Sequence, residues 1–66
     1  MPSTVIRSFE YDAANAVLTI IFVSGTVYEY YEVPPEVYEQ FRNFREKGVF
    51  YNGQIKGKYR FARVSR

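Results

Sequence analysis

Ala16-Val17-Leu18-Thr19-Ile20-Ile21-Phe22-Val23-Ser24-Gly25-Thr26-Val27-Tyr28-Glu29-Tyr30-Tyr31-Glu32-Val33 is the stretch that decides the fold. Residues 16–23 are apolar and rich in β-branched side chains, with neither Pro nor Gly, which is the composition of a buried strand. Ser24-Gly25 interrupts the run, and a glycine supplies the positive φ that a tight hairpin requires. Residues 26–33 resume with aromatic and polar residues interleaved, as in a strand buried on one face. Upstream, Val5–Tyr11 is apolar enough for another strand, and Asp12-Ala13-Ala14-Asn15 brings two turn formers to the junction. Two hairpins in succession predict a three-stranded antiparallel meander.

Pro34-Pro35 closes the meander, because proline cannot donate to a sheet ladder yet is welcome in a first helical turn. Val37, Tyr38, Phe41 and Phe44 then fall on one helical face. Glu36 and Glu39 near its start and Arg42, Arg45 and Lys47 near its end complement the helix dipole. With Gly48 as a stop, the spacing predicts a helix over 35–47. Residues 48–57 contain Gly48, Gly53 and Gly57 and predict a loop with one irregular helical turn. Lys58-Tyr59-Arg60-Phe61-Ala62-Arg63-Val64 alternates and predicts a fourth strand, with Tyr59 and Phe61 in apolar contact and Lys58, Arg60 and Arg63 outward. The expected architecture is α+β in the order β-β-β-α-β, one domain over 1–66 with the helix across one sheet face.

Composition narrows the chemistry. The chain has 66 residues, 47% of them hydrophobic, and its seven Tyr and six Phe supply large burial per residue. It has no Cys, which removes disulfides, thiolate nucleophiles and thiolate metal sites. It has no His, so the commonest general base and metal ligand is missing as well. Glu10 and Asp12 share one side of a strand end and read as solvated acids of a hairpin rather than a metal site. Gly53-x-x-x-Gly57-Lys58 lacks the spacing and the following Ser or Thr of a phosphate-binding loop. No catalysis, cofactor or metal is expected. No apolar run reaches the roughly 18 residues of a membrane span and no signal-peptide pattern opens the chain, so a cytoplasmic protein is expected, off the membrane.

The formal charge of +2 is unevenly divided. Residues 1–46 carry all seven acids against Arg7, Arg42 and Arg45, a net −4. Residues 47–66 carry Lys47, Lys56, Lys58, Arg60, Arg63 and Arg66 and no acid, a net +6. A block of one sign points toward a polyanionic partner, although a solvated basic surface has the same composition.

Two blocks now stand out: Leu18-x-Ile20-x-Phe22-x-x-Gly25-x-x-Tyr28-x-Tyr30-x-x-Val33-Pro34, and Lys47-Gly48-x-Phe50-Tyr51-Asn52-x-x-Ile55-Lys56-x-x-Tyr59. In this order and at this separation they resemble the KTSC domain. That small family is named for the C-terminus of some lysyl-tRNA synthetases and also occurs as free-standing bacterial and phage proteins. The resemblance runs from Ile6 and Tyr11 to Tyr59 and includes the family's Tyr-x-Tyr at its centre. It implies a role in RNA binding without catalysis. Where many members have Ser-x-Gly before the aromatic pair, this chain has Glu46-Lys47-Gly48, and a carboxylate there disfavours an anionic ligand.

The residues themselves suggest where RNA would sit. Tyr28 and Tyr30 share a strand face and offer stacking surfaces for unpaired bases, or else pack beneath the helix. A two-residue Ser24-Gly25 turn pairs Phe22 with Val27 and turns the tyrosines away from Leu18, Ile20 and Phe22. A three-residue turn centred on Gly25 pairs Phe22 with Tyr28 and sends them inward. Phe50 and Ile55 read as core, whereas Tyr51, Asn52 and Lys56 read as ligand contacts. Lys56, Lys58, Arg60 and Arg63 are the expected phosphate contacts, Lys58 and Arg60 projecting to one side roughly 7 Å apart on an extended segment. The expected function is a non-catalytic RNA-binding module, a monomer or weak homodimer with no small-molecule substrate. The alternative is a protein-interaction or self-association module that uses an exposed sheet edge.

Overall fold

The computed structural model describes residues 6–64, and the expected strand start at Val5 and the charge of Arg66 lie outside them. The three meander strands are β1 (Ile6–Asp12), β2 (Val17–Phe22) and β3 (Val27–Tyr30). Helix α1 (Pro35–Asn43) and the helical turn α2 (Lys47–Phe50) follow, the latter running without a break into a π-helix, Tyr51–Ile55. Strand β4 (Phe61–Val64) then returns beside β3, giving one antiparallel sheet in the order β1-β2-β3-β4. The α+β class and the β-β-β-α-β order are those read from the sequence.

The turns form as their residues dictate. The Asp12 carboxylate accepts from the backbone N–H of Ala14 (3.1 Å) and from the Asn15 side chain (2.8 Å), and these bonds hold its pKa below the ordinary aspartate value. In the second hairpin the Gly25 N–H bonds Phe22 O and the Phe22 N–H bonds Thr26 O, with Gly25 at φ 96°. The loop is Val23-Ser24-Gly25, with glycine last rather than central, and it pairs Leu18 with Tyr30 and Ile20 with Tyr28. This is neither of the two registers considered above, but it keeps the tyrosines on the face of Leu18 and Ile20, because a slip of two residues preserves the face.

That face carries the core, where Leu18, Ile20, Tyr30, Val33, Phe41 and Ile55 are buried. Helix α1 lies over β1: Phe41 meets Phe9 edge-on at 4.8 Å, and Tyr38 stacks on Tyr11 at 4.4 Å. The Tyr11 hydroxyl donates to Val33 O at 2.6 Å, tying the strand to the chain entering α1. The helix ends at Asn43 and not at residue 47 as expected, and Phe44 is extended at φ −76°, ψ 134°. Lys47 explains the stop, since its ammonium donates to the carbonyls of Arg42 and Phe44 at the helix end. It also sits 5.8 Å and 5.9 Å from the ring centroids of Phe9 and Phe41, so it serves the fold rather than a ligand.

Gly48 lies inside α2 and terminates nothing. The Glu46 side chain makes no capping bond there, and its carbonyl alone receives Val49 and Phe50 N–H. The irregular turn expected in residues 48–57 proves to be the whole of α2 and the π-helix. Its wide turn is marked by the Lys56 N–H bonding Tyr51 O at 2.8 Å, five residues back. The widening sets Phe50, Tyr51 and Ile55 together against the sheet, so Tyr51 joins the core with the two residues expected there. The turn closes when the Lys58 N–H bonds Ile55 O with Gly57 at φ 78°, a backbone only glycine adopts cheaply. β4 therefore begins at Phe61 rather than at Lys58.

Candidate functional site

The two helical segments do not cover the sheet evenly. α1 shields β1 and the π-helix shields the middle of the sheet, which leaves the face toward β4 and the second hairpin open. Five aromatic rings meet there in a closed circuit. Phe22 abuts Tyr28 (5.8 Å between centroids), Tyr28 abuts Phe61 (5.4 Å) and Phe61 abuts Tyr30 (5.5 Å). Tyr30 abuts Tyr51 (5.8 Å), and Tyr51 returns to Phe22 (5.3 Å). Together they line a cavity of about 430 Å³, completed by Ser24 and Thr26 of the hairpin and by Lys56 and Gly57 of the turn. That volume falls within the range of small-ligand sites.

The five rings divide into floor and wall. Tyr30 and Tyr51 are 2% and 4% exposed, and their hydroxyls hydrogen-bond to each other. Burial is the main cause that raises both phenol pKa values above 10.0, because a phenolate there would lose its hydration. Phe61 is 52% exposed and forms the accessible wall, with Tyr28 half-buried beside it. The expectation that Tyr30 and Tyr51 present open ring faces for stacking is corrected: both are core residues that reach the cavity from below. Phe22 and Phe61 were not singled out as site residues. The cross-strand pairing of Tyr30 with Phe61 places that ring in the circuit, and it depends on where β4 starts.

The basic residues are not gathered on one surface. Lys56 stands on the cavity rim. Arg63 is paired across the ladder with Tyr28 and so shares the cavity face. Arg60 lies before β4, exposed, with its carbonyl accepting from the Tyr31 N–H at 2.8 Å. Lys58 is exposed in the glycine turn, so the extended Lys58–Arg60 rail expected from the sequence is not formed. Asn52 is exposed on the π-helix. Among the described residues no group of three or more acids could hold a metal, and no helix is long and apolar enough to cross a membrane.

The buried tyrosine pair has a measurable signature in base. A phenol whose folded pKa is raised favours the fold fully below its unfolded value near 10.0, and that support fades as the pH climbs beyond it. Phenolate absorbance and far-ultraviolet circular dichroism should therefore show Tyr30 and Tyr51 ionising only as secondary structure is lost. Ionisation of every tyrosine before any change in circular dichroism would mean that the pair is open to water.

Comparison with known proteins places the chain. Residues 2–59 match the family profile of the KTSC domain. A lysine–tRNA ligase of Nostoc punctiforme is 47% identical over 62 residues, covering 94% of this chain but 11% of the ligase. The chain thus spans about a tenth of the length of the ligases it matches. A short protein of Tsukamurella paurometabola is 40% identical over 88% of this chain and 87% of its own length. In structure, the chain superposes on a KTSC domain protein from Yersinia pestis with a TM-score of 0.88 and 33% identity, covering 98% of this chain and 94% of that one.

Proposed function

We propose, starting from the fact that this chain belongs to the KTSC domain family, that it is a non-catalytic module that binds single-stranded or tRNA-associated RNA. The observation that carries the reading is the circuit of five aromatic rings around one cavity, with Lys56 on its rim and Arg63 opposite Tyr28. Stacking surfaces beside cations are what unpaired RNA needs, since bases stack on rings while ammonium and guanidinium groups neutralise phosphates. A relative whose name joins lysine to tRNA agrees with that partner. The absence of Cys and His removes the thiolate nucleophile and the commonest general base.

Salt dependence counts the phosphates involved. For single strands, log K falls by about 0.7 per neutralised phosphate for each decade of salt. Raising salt fourfold should weaken binding about sevenfold if Lys56 and Arg63 act alone, and about fiftyfold if Lys58 and Arg60 contribute as well. An amide NMR titration with tRNA and a short single-stranded RNA at both salt levels measures this, with protein dilution as control. Salt-sensitive shifts around the cavity are expected. Silence toward RNA, with dilution-dependent shifts along β4, would reject the reading in favour of self-association through the strand edge that β3 leaves unpaired.

A further inference from the structure

The RNA reading leaves open what the cavity itself receives. We propose that it is a receptor for one unpaired nucleobase, inserted edge-first toward the Tyr30–Tyr51 hydroxyl pair, with the adjoining phosphate on Lys56; the proposal rests on the RNA reading and deepens it.

Three observations converge. The first is size, because about 430 Å³ has room for a base together with its ribose. The second is the wall. Phe61 is 52% exposed on a face otherwise packed with rings, so its flank is open to a flat aromatic partner. A phenylalanine ring exposed beside a cavity gains by stacking on a flat partner.

The third is the floor. Two hydroxyls that bond to each other hold two protons and use one between them. The second proton is a donor on a pair that lines the cavity, and burial keeps it on the oxygen, since both phenols are held neutral. Every nucleobase offers a carbonyl oxygen or ring nitrogen on its edge to accept it. Lys56 and Gly57 lie on the rim, where a backbone phosphate would sit once the base is inside. Lys56 supplies the charge, and Arg63, across from Tyr28 on the same face, is placed for the next phosphate along the strand.

The test uses the whole chain and small probes. Uridine 5′-monophosphate, uridine, inorganic phosphate and a short oligouridylate are titrated separately into labelled protein. The nucleotide should shift Phe22, Thr26, Tyr28, Gly57 and Phe61, the nucleoside should do so more weakly, and phosphate alone should leave them unmoved. Phe61→Ala should weaken the nucleotide about tenfold, and its exposed site leaves the fold intact, as an unchanged remainder of the spectrum would verify. Lys56→Gln should weaken the nucleotide but not the nucleoside, and should lower the oligonucleotide's salt slope by about 0.7.

If the oligonucleotide binds while the cavity stays unmoved and Phe61→Ala is without effect, the nucleobase receptor is overturned and the RNA reading survives. Equal shifts from phosphate and nucleotide overturn it as well, because the base then takes no part. If neither nucleotide nor oligonucleotide binds, both readings fall together.

Discussion

Phe41→Ala is expected to cost about 3–5 kcal/mol. A chain of this length has a total stability of roughly 3–10 kcal/mol, so the variant should lose between a third of it and all of it. Phe41 is fully buried and joins three elements: its ring meets Phe9 of β1 edge-on and Phe50 of α2 at 5.8 Å. It also lies under the Lys47 ammonium that closes α1, so truncation opens a cavity and removes the seat of that cap. Phe41→Leu keeps most of the volume and should cost roughly 1–2 kcal/mol. Denaturant midpoints for the two variants test this. A loss under about 1 kcal/mol for the alanine variant would mean that α1 does not depend on this contact.

The second large effect comes from the tyrosine pair. Tyr30→Phe or Tyr51→Phe alone leaves the partner hydroxyl buried without the bond it makes in the parent, which costs about 1–3 kcal/mol. The double variant removes both hydroxyls and both desolvation penalties and should be no less stable than either single one. Such non-additivity is the signature of a closed pair. Strictly additive losses in a denaturant-melt cycle would show that each hydroxyl is satisfied independently. In that event the donor assigned to the nucleobase would have to come from elsewhere on the rim.

These contacts also show where residue patterns speak and where they fall silent. The meander, its turn formers and the helix start at Pro35 follow from local chemistry and were legible. Which way Tyr28 and Tyr30 faced was not, because it depends on whether Gly25 ends the hairpin loop or sits at its centre. Tyr51 was misplaced for a different reason. At ordinary helical spacing Tyr51 lies one turn from Ile55 and shares its face, but the three glycines of residues 48–57 hide the helix, and the five-residue hydrogen-bonded turn draws Phe50 to the same side. The basic tail looked continuous because charge was counted along the chain. Gly57 breaks it in space, leaving Lys56 and Arg63 on the cavity side and Arg60 beside Tyr31. Lys47, the first residue of α2, turns its ammonium back to the end of α1, where the sequence pattern also put a charge complementary to the helix dipole.

Strands β1, β2 and β3 lie in the sheet in the order of their synthesis, whereas β4 reaches β3 only after the entire helical excursion. Closing that long loop carries the largest chain-entropy cost of any pairing in the sheet. The circuit of rings draws on β2, β3, the π-helix and β4, so it exists only where that closure is made. A molecule in the cavity therefore bears on both sides of the closure, and its binding energy adds directly to the least local pairing of the fold.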